Sequence, residues 1–447
     1  MARRLLLSGS TDMYRTIIAI AALILGITSC SSSTDPGNAD APAGVELLHS
    51  SLERETKPNA SSEEQAKLGQ GSREFALSLY AQAANDKPGN VFLSPYSVSV
   101  ALAMTYAGAK GDTKTELANA LHFSVPEPQL HAAWNAVDLA LKGRKDELVS
   151  QESMGEGLTL EVTNAIFSQT GFTPNQPFLD TLGVSYGAGL YAADFAKDAE
   201  RARVAINDWT AQRTHDRIQD LLAKDSLKDA LLVLLNAIYF KAAWRSPFEV
   251  ANTKREAFHA RGGDVMVEMM HAPGGRYATG DGYQAIELEY ISKSVSMFVI
   301  VPDAGRFDAI ETGLDAAFFD RVHDALSYDY EVALGLPRFK IEGETVGLKK
   351  GLEALGMRKA FTQAADFSGI AGAPGDLQVS DVLHQAFVAV DETGTEAAAA
   401  TAVVFVATST PPPKKPVTLT IDRPFLFAIY DQPTGQILFL GRLTNPG

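Results

Sequence analysis

A single cysteine in 447 residues, Cys30, excludes any intramolecular disulfide and any zinc site built from clustered thiolates. Positive charge is scarce as well. The 39 Lys and Arg residues face 54 Asp and Glu, giving a formal net charge of −15. That balance works against non-specific nucleic-acid binding and suits a partner with a basic surface. The templates of common enzymes are missing: the sequence has no Gly-x-Ser-x-Gly elbow, no His-Glu-x-x-His and no Gly-Lys dipeptide of a phosphate-binding loop. None of the eight histidines pairs with another at a metal-ligand spacing. A triad assembled from distant residues leaves no such signature, but nothing local calls for an enzyme, a metal or a cofactor, and none is expected.

What is present begins with an export signal. Arg3, Arg4 and Arg15 precede the apolar run from Ile17 to Leu25, which is short for a transmembrane helix. The run ends in Ile27-Thr28-Ser29-Cys30, which resembles a bacterial lipobox. The expectation is a signal peptide over residues 1–29 and diacylglyceryl attachment to Cys30, with several acyl chains giving stable membrane anchoring. The alternative is an ordinary secretory signal. Ser31 lacks the aspartate that often retains lipoproteins at an inner membrane, so the outer membrane is the favoured destination, facing the periplasm or the exterior. Translation from Met13 would also give a complete signal. Residues 30–60, rich in Ser, Asp, Pro, Gly, Ala and Glu, read as a flexible linker, although Val45-Glu46-Leu47-Leu48 has the apolar content to pack somewhere.

Residues 61–447 read as one large α+β domain. Ser61-Ser62-Glu63-Glu64 offers a capping box for a first helix that Asp86-Lys87-Pro88-Gly89 stops. Ser97 to His122 predicts two helices broken near Gly108 to Asp112, and Ile206 to Leu222 another. Leu160, Val162, Asn164 and Ile166 alternate as in a half-buried strand, whereas Leu231 to Leu235 and Val295 to Val301 are continuous apolar runs of the kind covered on both faces. Val417 to Ile421, Pro424 to Tyr430 and Ile437 to Leu440 complete the strands.

The most unusual stretch runs from Glu392-Thr393-Gly394-Thr395-Glu396-Ala397-Ala398-Ala399-Ala400-Thr401 through Val403 to Thr410 and into Pro411-Pro412-Pro413. Its alanines favour helix, its later residues favour strand, and its prolines stop both. As a strand it would align Thr395, Ala397, Ala399, Thr401, Val403 and Phe405 on one face, with Glu396 turned to solvent. Composition alone favours a loop feeding a buried strand.

This stretch and its surroundings resemble the hinge and reactive-centre loop of a serpin. Asn90-Val91-Phe92-Leu93-Ser94-Pro95-Tyr96-Ser97, Asn236-Ala237-Ile238-Tyr239-Phe240-Lys241-Ala242-Ala243-Trp244, Leu336-Pro337-Arg338-Phe339 and Arg423-Pro424-Phe425-Leu426-Phe427 resemble further signatures in the family's order, and Phe439 to Pro446 closes the chain in the same way. His215-Asp216-Arg217-Ile218 departs from the pattern, since many relatives carry a glycine and a lysine there; the expected place is a peripheral helix.

The resemblance implies a serpin fold of three β-sheets, eight to nine helices and an exposed loop. It also implies a monomeric suicide inhibitor whose cleaved hinge inserts into the central sheet. The small residues from Thr395 to Thr401, Glu396 excepted, favour inhibition over a non-inhibitory binding role. By the family's spacing from Glu392 the attacked bond is Thr408-Ser409, with Ala407-Thr408 as second choice. The flanking small and β-branched residues suit an elastase- or subtilisin-like serine protease, or alternatively a papain-like cysteine protease. Ser94, Ser97, Asn236 and His384 match the family's polar cluster where the sheet opens, and Trp244 matches the aromatic where insertion begins. Glu392 is expected to pair with Arg338 or Lys340.

Overall fold

A computed structural model describes residues 41–85, 87–148, 158–396 and 414–446. Among them are nine α-helices and three β-sheets. The first helix, Ser62–Ala84, starts at the predicted capping box: Ser61 Oγ accepts from the Glu64 N–H at 3.2 Å, and the Glu64 carboxylate accepts from the Ser61 N–H at 2.7 Å. Pro95–Ala107 and Gly111–Ala120 are the two helices expected between Ser97 and His122.

The largest sheet sets the architecture. Across it run Glu46–Leu48, Leu190–Ala193, Thr159–Gln169, Leu232–Ala243, Gly394–Thr395, Val379–Val390 and Phe339–Glu342, with Val346–Gly347 also paired to Val379–Val390. The continuous apolar run of Leu232–Ala243 is explained by cover on both faces. Leu232 and Leu234 enter a core shared with the helix Pro95–Ala107, while Val233, Leu235 and Ala237 pack with Phe195, Ile206 and Trp209 of the helix Phe195–Arg213. A six-stranded sheet runs from Val91–Leu93 through Gln436–Leu443, Phe425–Asp431, Val295–Pro302 and Tyr283–Glu289 to Arg276–Gly280. Four strands form the third: Lys415–Thr420, Tyr330–Pro337, Gly263–Pro273 and Lys254–Ala260.

Two expectations are corrected here. The linker assigned to residues 30–60 is, from Ala41 onward, part of the domain. Glu46–Leu48 is an edge strand antiparallel to Leu190–Ala193, with Leu47 and Leu48 entering cores on opposite faces of the sheet. Beyond it, Ser50 Oγ donates to Asp180 at 2.5 Å and Arg54 pairs with Asp138 at 2.5 Å. Composition hid this because two apolar residues suffice for a three-residue edge strand. Second, the helix expected over 206–222 ends at Arg213. Thr214 Oγ1 donates to the Thr210 carbonyl at 2.9 Å and accepts from the Ile218 N–H at 3.1 Å. His215 and Asp216 then take φ of 50° and 60°, which turns the chain out of the helix.

Candidate functional site: a sheet parted at one end

The strands Leu232–Ala243 and Val379–Val390 are parallel neighbours, paired from Val379 opposite Leu232 up to Ala386 opposite Ile238. Beyond that point they separate. Gly394–Thr395 is wedged between them, with Gly394 opposite Ala243 and Thr395 opposite both Ala242 and Val390. The chain reverses at Asp391-Glu392-Thr393, where Asp391 Oδ1 accepts from the N–H groups of Thr393 at 2.8 Å and Gly394 at 3.2 Å. Gly394 is required by closeness: a Cβ there would lie 2.1 Å from the Ala242 carbonyl oxygen. Thr395, the first residue of the proposed inserting face, is thus already between the strands and buried.

An aromatic floor and an ion pair fix the wedge. Trp244 stacks on Tyr290 with centroids 4.6 Å apart, and its indole Nε1 donates to the Asp391 carbonyl at 2.9 Å. Tyr290 and Thr395 share a hydroxyl hydrogen bond of 2.6 Å, and burial pushes the Tyr290 phenol up. Glu392 pairs with Arg338 at 2.6 Å and accepts from Thr253 Oγ1 at 2.7 Å. Burial raises the Glu392 carboxyl, but these two hydrogen bonds, with one from the backbone and the Arg338 charge, hold the group below the ordinary carboxylate range. Of the two cations expected near Glu392, Arg338 takes the place, while Lys340 pairs with Glu342.

At the level where the strands are still paired lies a buried polar cluster. Ser94 caps the helix Pro95–Ala107: its Oγ accepts from the Ser97 N–H at 3.3 Å and donates to the Leu438 carbonyl at 2.6 Å. Asn236 Nδ2 donates to Ser97 Oγ and to Asn164 Oδ1. His384 sits opposite Asn236 across the parallel strands and bonds its Oδ1. The Ser94 N–H donates to His384 Nε2 at 3.0 Å, so Nε2 bears the lone pair and Nδ1 carries the proton given to Asn236. Burial lowers the His384 pKa to about 3. The imidazole therefore joins the two central strands only in its neutral form.

Sequence reasoning missed Asn164, Tyr290, Thr253 and Arg217. Asn164 did leave a signal, a polar residue in the inward phase of Leu160, Val162 and Ile166. Tyr290 and Thr253 left none, since both reach the site from other parts of the chain. Glu396 requires correction. Its side chain, expected in solvent, is 10% exposed and pairs with Arg217, because residue 396 takes φ of 49° instead of an extended conformation. The segment holding Arg217 is accordingly not peripheral. Ala397, Ala398, Ala399, Ala400, Thr401, Ala407, Thr408, Ser409 and Cys30 lie outside the described residues.

Known proteins share this sequence pattern and fold. A family model described as Serpin (serine protease inhibitor) matches residues 70–446. Leukocyte elastase inhibitor of Bos taurus is 36% identical over 395 residues, covering 85% of this chain and 99% of the relative. An uncharacterized serpin-like protein of Thermococcus kodakarensis is 34% identical, covering 97% of this chain and 99% of the relative. Among solved structures, the thermophilic serpin tengpin in its native state superposes with a TM-score of 0.74 at 26% identity, over 90% of this chain and 97% of that one. With the family match, these relatives and the parted sheet in agreement, the chain belongs to the serpin family.

Proposed function

We propose that this serpin is a suicide inhibitor of an elastase- or subtilisin-like serine protease. The observation that carries the reading is the central sheet, with two parallel strands paired at one end and Gly394–Thr395 wedged between them at the other. A strand continuing from Thr395 in the same direction has a path prepared for it. The protease serine attacks the carbonyl carbon of Thr408, the bond to Ser409 breaks, and the amine of Ser409 leaves with a proton, giving an ester-linked acyl-enzyme. Insertion then competes with attack of water on that ester. The chain from Thr395 to Thr408 extended at ~3.3 Å per residue carries the tethered enzyme roughly 43 Å. A displacement of the oxyanion hole by ~1 Å already costs much of its rate advantage. The ladder lost between the two central strands is replaced by two, one on each side of the new strand, at about 0.5–1.5 kcal/mol net per added hydrogen bond. Similarity to a leukocyte elastase inhibitor supports an elastase-type target.

Lipidation of Cys30 would place the inhibitor at a bacterial membrane. Cys30→Ala is expected to move the protein from the membrane fraction to the soluble fraction and to abolish palmitate labelling. For trapping, the domain is mixed with elastase and with subtilisin and run on denaturing gels. A covalent adduct that retains the N-terminal fragment is expected; clean cleavage with continued turnover sinks the reading.

A further inference from the structure

The chain between the helix Phe195–Arg213 and the strand Leu232–Ala243 crosses the outer face of the central sheet, over the junction of its two parallel strands. His215 lies against Tyr239 of one strand, ring centroids 4.6 Å apart. The Arg217 guanidinium lies over the ring of Phe387 on the other, 5.2 Å from its centroid. The ladder joining those strands ends one residue earlier, at Ile238 and Ala386. Arg217 Nε also donates to the carboxylate of Glu396, the residue directly after the wedge.

The backbone is strained on both sides of this pair. His215, Asp216 and Glu396 have φ of 50°, 60° and 49°, a left-handed region unfavourable for a non-glycine residue. Such conformations persist only where surrounding contacts impose them. Here the contacts are the ion pair itself, the Glu396 N–H donated to the Ala389 carbonyl at 2.8 Å, and the two ring contacts of the crossing segment.

We propose that Arg217 is a positioning residue that clasps the hinge: its pair with Glu396 holds the chain turned out of the sheet and must open before Ala397 can follow Thr395 inward. The proposal rests on the insertion reading above. Placing a strand between two paired neighbours raises their separation from ~4.8 Å to ~9.6 Å. A segment that touches Tyr239 on one side and Phe387 on the other loses at least one contact when this happens. Residue 396 must also leave φ of 49° for the extended region, which re-aims its carboxylate. The clasp therefore stabilises the uninserted state and not the path out of it.

The test uses the uncut protein. Wild type, Arg217→Gln, Glu396→Gln, the double variant and Arg217→Lys are incubated where wild type converts slowly to its inserted form, read as a heat-resistant fraction growing with time. Each neutralising variant is expected to convert roughly two- to fivefold faster, the rate equivalent of a partly exposed ion pair. The double variant should be no faster than the singles, and Arg217→Lys should stay near wild type. Equal or slower conversion of both single variants, or additive effects in the double, overturns the clasp. Cleavage of the wild-type loop by a non-target protease separates the two ideas. If cleavage brings no thermal stabilisation, insertion itself fails and the clasp with it; stabilisation with unchanged variant rates refutes the clasp alone.

Discussion

Acid should loosen the sheet through His384. The imidazole is buried, accepts the Ser94 N–H at Nε2, and has its pKa lowered to about 3, against about 6.5 for the free side chain. Above pH ~6.5 neither the folded nor the unfolded chain holds the extra proton, so His384 contributes no pH dependence. Between that value and about 3 only the unfolded chain takes it up, and stability falls as pH falls. Below both values the dependence ends. Each pH unit is worth about 1.4 kcal/mol, so the loss is roughly 1.4 kcal/mol at pH 5.5 and about 3 kcal/mol at pH 4.5. His384→Gln supplies a comparison, because a glutamine amide offers Ser94 an acceptor and Asn236 a donor without titrating. Urea unfolding of both proteins at pH 7, 5.5 and 4.5 is the assay. Carboxylates common to the two cancel in the difference, so the wild-type deficit relative to the variant should widen by about those amounts. Parallel pH profiles would refute the assignment of a neutral, proton-excluding His384 to the junction of the strands.

Three further outcomes are expected. Thr395→Arg puts a charge where the side chain is 1% exposed and bonded to Tyr290, so the loop should still be cut while the covalent adduct disappears; retained trapping would contradict the wedge as the start of insertion. Gly394→Val brings side-chain atoms against the Ala242 carbonyl and should lower native stability by about 1–3 kcal/mol, seen as a reduced melting temperature; an unchanged one would show that the close approach is not required. Arg338→Ala leaves Glu392 with Thr253 as its remaining side-chain partner at 5% exposure and should cost about 1 kcal/mol near neutral pH, a figure reduced for the 45% exposure of Arg338. Because the pair holds the Glu392 carboxyl low, that difference should be present above pH ~4.5 and shrink as acid protonates the carboxylate; a difference that persists in acid would assign the effect to packing.

Much of the site was legible because the family's motifs place polar residues where periodicity calls for apolar ones. Ser94, Ser97, Asn236 and His384 do meet at the junction, and Glu392 does meet Arg338. The first helix could be read to its cap because Ser61 and Glu64 act within one turn. What escaped was determined by tertiary neighbours. Thr253, Tyr290 and Arg217 reach Glu392, Thr395 and Glu396 from 139, 105 and 179 residues away along the chain. The end of the helix at Arg213 depends on a threonine that bonds backward and on two residues that accept positive φ, neither of which weakens the apolar period of the segment. The order of residues 41–60 comes from an edge strand too short to show alternation.

Under the proposed lipidation of Cys30, that edge strand would also limit where the inhibitor can work. Between Cys30 and Ala41 there are 11 peptide steps, 41 − 30, which at full stretch reach about 36–40 Å. A free linker running to residue 60 would have reached nearly three times as far. Were Cys30 lipidated as proposed, the domain would be held within about 36–40 Å of the membrane surface. A protease reaching that layer would meet the inhibitor at a higher local concentration than one in the surrounding fluid.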